Sequence, residues 1–168
     1  MKIESSIIVI ISGIFAFALA LLTIQFFVKE LRKKATSNNT LNLSFGLWFG
    51  SLLLSITLLL SKALEVMNDA IDVLIAFPKE GIYLEIFKAG SIFIGLTFLW
   101  FVISFYIIKV FSRLIFSSSI DEIEIEQNNS SYFLIKGFVF ITFIIVLLPI
   151  FESLLRGFIL SVDTPIYH

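Results

Sequence analysis

The sequence predicts an all-α membrane protein: four transmembrane helices, as two tandem helix hairpins, in a single domain spanning 1–168. Three observations predict it. The chain is 58% hydrophobic with a mean hydropathy of +1.03 and 15% charged residues, whereas soluble domains are about 45–50% apolar and about 25% charged. Charges are absent from four runs, 5–28, 41–61, 89–108 and 137–151. A helix rises about 1.5 Å per residue and the hydrocarbon core is about 30 Å thick, so about twenty apolar residues cross it. Three runs reach that length, and the fourth does so by starting near Tyr132, with Lys136 extending back to the headgroups.

The first run is preceded by Lys2 and contains Ala18-Leu19-Ala20, features of a removable signal. Glu4 lies in the would-be positive region, however, and apolar sequence continues to Val28, beyond the roughly 7–15 residues of a signal core. It reads as a retained helix. Lys29, Arg32, Lys33 and Lys34 follow it directly, and basic residues in short loops stay in the cytoplasm; they set topology or meet anionic lipid headgroups. The segment from Lys62 to Lys88 carries Glu65, Asp69, Asp72, Glu80 and Glu85. This bias predicts a multi-pass protein of a bacterial inner (plasma) membrane with both termini outside the cytoplasm.

The second helix is expected not to stop at the membrane surface, but to continue outward or turn onto that surface. Leu64, Met67, Ile71 and Leu74 fall on one face and Glu65, Asp69 and Asp72 on the other, an amphipathic spacing. It should end near Phe77, where Pro78 and Gly81 mark a turn. The third helix re-enters at Lys109 and Arg113. The stretch "SSSIDEIEIEQNNSS" reads as loop or frayed helix, because its Ile-Glu alternation has no strand to pair with. Pro149 is a kink site in the fourth helix. Tyr83, Tyr106 and Tyr132 fall near helix ends, where amphipathic rings sit among headgroups, and Trp100, near mid-helix, is a packing or lipid-facing residue.

The two halves enter their second apolar helix alike. An offset of ninety pairs Asn38 with Asn128, Asn39 with Asn129, Thr40 with Ser130 and Lys62 with Glu152. Asn and Ser/Thr side chains satisfy free N–H groups at helix starts, so Asn38, Asn39, Asn128 and Asn129 read as repeat helix caps. The hairpins run from about 5–77 and 85–160, as parallel repeats of the kind known in membrane proteins.

These features resemble the YjfL-like bacterial inner-membrane family, a domain of unknown function built from two related helix hairpins. The resemblance rests on Asn38, Asn39, Thr40, Ser44, Gly46 and Gly50 in the first half and Asn128, Asn129, Ser130 and Gly137 in the second. It implies the four-helix architecture and no established activity.

Each helix carries one stripe of small or hydroxyl residues: Ser12 and Thr23; Ser44, Ser51 and Ser55; Thr97 and Ser104; and Thr142. Lipid tails provide no hydrophobic drive between helices, which therefore meet through small residues. The stripes read as packing seams with hydroxyls bonded across helices, the alternative being a narrow wet path in an oligomer. Gly46 and Gly50 offer a further close contact, within or between subunits. Lys62, Glu65, Glu152 and Arg156 form an expected rim charge cluster, placed where the penalty of a mid-bilayer charge is avoided.

The chain has no cysteine and one histidine, His168, so neither a thiolate nor a multi-histidine metal site is available, and no cofactor is expected. No catalytic residue is assigned and no enzymatic activity is expected. The net charge of −1 argues against nucleic acid. The expected partners are the lipid bilayer and a second copy or another membrane protein. The function expected is structural or partner-binding; the alternative is a subunit of a small oligomeric channel or transporter.

Overall fold

The computed structural model describes residues 2–37, 40–76, 81–116 and 120–159. Its elements are α1 (Lys2–Ala35), a two-residue ladder of β1 (Thr36–Ser37) and β2 (Thr40–Leu41), α2 (Leu43–Ala76), α3 (Ile82–Ile115), α4 (Asp121–Glu126) and α5 (Ser130–Ile159). The ladder is antiparallel, pairing Thr36 with Leu41, and does no more than turn the chain between two helices. The fold is all-α, and α1, α2, α3 and α5 are each long and apolar enough to cross a membrane. In lipid a helix is the way an open segment satisfies its own backbone, and charge-free runs of this length have no competing solution.

At 34 residues, α2 is about 51 Å long and overhangs the hydrocarbon core. Its far end is the amphipathic extension that the residue spacing predicts: Met67 and Ile71 are buried while Glu65, Asp69 and Asp72 are exposed. The helix stops at Ala76; Phe77 and Pro78 lie outside the described residues. Gly81 begins α3 with φ of 81°, the left-handed region that glycine enters without a Cβ penalty. The fourth apolar helix, α5, continues through Pro149 to Ile159.

Packing is organised by α2, which contacts α1, α3 and α5, while α1 meets α3 through Phe27, whose ring lies 4.6 Å from that of Phe105 between centroids. The most extensive contact joins α2 to α5, the second helices of the two hairpins. Contacts of Ser44 with Asn128, Lys62 with Glu152 and Asp69 with Arg156 advance along both helices together, so these two run parallel. Between the helices lies a core of large side chains, all at most 2% exposed: Trp48, Phe101, Phe133, Phe140, Phe151 and Leu52. Trp48 lies 6.1 Å from Phe140 and 6.3 Å from Phe133 between ring centroids, separations typical of favourable aromatic pairs. Trp100 belongs to this packing, 5.6 Å from Phe151.

Candidate functional site

The densest polar cluster lies where α2 and α5 begin, and α4 builds it. The stretch read as loop or frayed helix is a short helix there. Six residues cannot hold a helix alone, so its order comes from what it touches. Ile125 is fully buried. Lys34 of α1 reaches Glu122 at 2.6 Å and Glu126 at 3.3 Å, and Asn42 Nδ2 donates to the Ile125 carbonyl. At its start, Asp121 Oδ1 accepts from Tyr132 Oη at 2.6 Å and also from Lys136 Nζ.

Lys136 therefore does not extend to the headgroups. It is 2% exposed, paired with Asp121, with its ammonium 4.8 Å from the centre of the Trp48 ring and 5.6 Å from that of Tyr132. A buried charge is tolerated only when paired and hydrogen-bonded, and ring faces add cation–π attraction. The physical reason for the departure is α4, which delivers a carboxylate to the ammonium at a lower desolvation cost than exposing an apolar turn. Tyr132 leaves the expected aromatic belt for the same reason and is 5% exposed. Tyr83 and Tyr106 are exposed.

The asparagines are distributed differently from the spacing of ninety. Asn42 stands at the N-cap of α2, its Oδ1 accepting from Phe45 N at 3.0 Å. Asn129 stands at the N-cap of α5, its Oδ1 accepting from Tyr132 N at 3.2 Å. Asn128 caps the other half. With φ of 52°, a conformation that Asn enters more readily than most residues, it turns its Oδ1 to Ser44, accepting from the Ser44 N–H at 3.1 Å and hydroxyl at 3.0 Å. The start of α2 thus has two side-chain acceptors, one from each half of the chain, and α2 and α5 are locked in register. Asn38 and Asn39 lie outside the described residues.

The hydroxyl stripes separate on folding. Ser44, Ser55, Thr97 and Ser104 are buried, Ser12, Thr23 and Ser51 are half-buried, and Thr142 faces outward. In three of the eight the expected bond across helices is replaced by one to the carbonyl four residues back, Thr23 to Leu19, Ser51 to Leu47 and Thr97 to Phe93, and buried Ser55 has no hydrogen-bond partner among the described residues. A hydroxyl on Cβ reaches that carbonyl without any help from a neighbour; Ser44 is the member that bonds across. Ser51 packs against Gly137, where an added Cβ would come 2.0 Å from Ser51 Oγ and 2.8 Å from its Cβ. Only glycine lets the two helices approach this closely. Gly46 and Gly50, in contrast, are exposed, and a Cβ on either meets nothing within 4 Å, so neither forms a contact within the subunit.

At the opposite end, Lys62 bonds Glu65 at 2.8 Å and Glu152 at 3.2 Å, and Arg156 bonds Glu152 at 2.9 Å and Asp69 at 3.0 Å. The structure brings the four predicted rim residues together and adds Asp69. The result is a chain of alternating charge from α2 to α5 and back. Asp69 stood on the predicted acidic face of α2, two turns beyond Lys62, and that spacing was the available signal. Asp121 had a weaker one, an acidic run ahead of a lysine at the start of an apolar stretch.

No protein-family model, curated protein or solved structure matches the chain.

Proposed function

We propose that the protein is an integral membrane component that works by assembly, with itself or with another membrane protein, and that it does not conduct ions. What carries the reading is the fate of its polar groups. The space between the helices is filled by Trp48, Phe101, Phe133, Phe140 and Phe151; of the hydroxyls along it, Ser51 and Thr97 bond back to their own helices, and Ser55 is fully buried with its hydroxyl unpartnered among the described residues. The two charged clusters are internally paired at opposite ends of this filled stretch. A conduction path needs a continuous line of polar groups or charge rings, and here the stretch between the clusters holds no charge and is closed by aromatic side chains. The basic end of α1 supports placing that end in the cytoplasm, with both termini outside, in a bacterial inner membrane; the likeness to two-hairpin inner-membrane proteins belongs to the same reading.

Ion flux in proteoliposomes, with insertion verified by protease protection, tests it. The expected result is flux no greater than in protein-free vesicles, together with energy transfer between labelled copies or co-purification of a membrane partner. Flux that scales with protein density would overturn it in favour of an oligomeric channel.

A further inference from the structure

The four basic residues at the end of α1 are not equivalent. Lys33 is paired with Glu30 at 3.0 Å, and Lys34 is held by Glu122 and Glu126 of α4. Lys29 and Arg32 form no ion pair among the described residues. Three positions apart, they share a face of the helix, and both are exposed. Arg32 stands beside a groove of about 510 Å³ between α1 and α2, whose walls include Gln25, Phe45, Gly46 and Phe49. From Arg32 to Gln25 the groove follows α1 for about 10 Å. Gly46 keeps its α2 wall open, since a Cβ there would meet no other atom within 4 Å.

We propose that this groove binds one anionic phospholipid, its phosphate on Arg32 and Lys29 and an acyl chain lying along Phe45, Gly46 and Phe49. Charge complementarity chooses the occupant. A guanidinium offers a planar fork of donors that matches phosphate oxygens, and basic pockets between membrane helices at the headgroup level suit anionic lipids. A second copy docked groove to groove would set Lys29 and Arg32 against their own kind, a like-charge contact that disfavours association. The division of labour is then explicit. Lys33 and Lys34 serve the protein's own carboxylates, and Lys29 and Arg32 serve the lipid.

The test is native mass spectrometry of the full chain in mild detergent, titrated with phosphatidylglycerol and with phosphatidylcholine, with melting temperature as the check on folding. The expected result is one phosphatidylglycerol retained in preference to phosphatidylcholine. Arg32→Gln should weaken retention by about fivefold, the effect of one charge at a membrane surface, whereas Lys33→Gln leaves it unchanged. Gly46→Leu, which fills the groove without altering charge, should abolish retention. Equal retention of the two lipids would overturn the proposal, as would equal losses for Arg32→Gln and Lys33→Gln, which is the signature of diffuse surface charge. Gly46→Leu that dissolves an oligomer while lipid retention persists would assign the groove to a second copy instead.

Discussion

The two ends of the α2–α5 pair use the same chemistry, lysine against carboxylate, in opposite settings. At the α4 end, Lys136 is 2% exposed and its partner Asp121 25% exposed, with a tyrosine hydroxyl on the same carboxylate. At the rim, Lys62, Glu152 and Arg156 are 23%, 28% and 44% exposed, and every charge has more than one opposite neighbour within reach or water beside it. Along α5 the two clusters are separated by sixteen residues, about 24 Å, a little less than the hydrocarbon thickness. They therefore bracket the apolar stretch. One end is a buried pair that fails badly if broken; the other is a wet network that degrades gradually.

That difference is sharpest at Asp121. Asp121→Ala leaves the Lys136 ammonium buried without its partner, and breaking such a pair costs about 3–5 kcal/mol. Unfolding of the purified protein in detergent should show this as the largest loss among single charge deletions. A double replacement, Asp121→Leu with Lys136→Met, should recover most of it, because a buried pair exchanged for apolar side chains is often neutral or stabilising. Wild-type stability in Asp121→Ala would mean that Lys136 reaches the headgroups after all, and the contrast between the ends would collapse.

Helix spacing at the buried end is set by Gly137, the residue next to Lys136. Gly137→Ala places a Cβ within 2.8 Å of Ser51 Cβ, and rotating the serine hydroxyl away does not relieve a carbon–carbon overlap. Overpacking of this kind costs about 1–3 kcal/mol. Ser51→Gly removes the colliding atoms and should restore Gly137→Ala toward the wild type, whereas it should not rescue a variant at the rim. A Gly137→Ala protein as stable as the parent would show that α2 and α5 separate freely, and the close approach would lose its role.

The four spans were legible because membrane thickness sets a length that charge-free runs either reach or miss. The overhang of α2 was legible because apolar and acidic residues alternate at helical spacing through Leu64, Met67, Ile71 and Leu74. Pairing of Lys62 with Glu152 followed from equal depth in the two hairpins. What escaped was tertiary in origin. A lysine one turn inside an apolar helix has two outlets, headgroups or a delivered carboxylate, and the second depends on α4, which is too short to declare itself as a helix. The caps escaped for a related reason. Residue type marks Asn42, Asn128 and Asn129 equally, but only backbone geometry tells which helix start each one faces, and the left-handed turn at Asn128 points it to the opposite half of the chain. Bonding of the hydroxyls back to their own helices leaves no trace in their spacing, because a packing seam and a wet path require the same periodicity.

At the rim the effects should be smaller, and their order is informative. Lys62 joins two helices, bonding Glu65 on its own and Glu152 on α5, whereas Glu65 meets only Lys62, three residues away, and is 55% exposed. Exposed pairs within one helix contribute little to stability, and salt screens them. Lys62→Ala should therefore lower the melting temperature in detergent more than Glu65→Ala, and both should fall well short of Asp121→Ala. Because Arg156 still bonds Glu152 and Asp69 in the Lys62→Ala protein, Glu152 keeps a partner and the loss remains partial. Raising the salt concentration should narrow the gap between Lys62→Ala and the parent while leaving the Asp121→Ala deficit nearly intact. Equal melting temperatures for Lys62→Ala and Glu65→Ala would reduce the bridge between α2 and α5 to a surface contact, and α4 alone would then hold the pair in register.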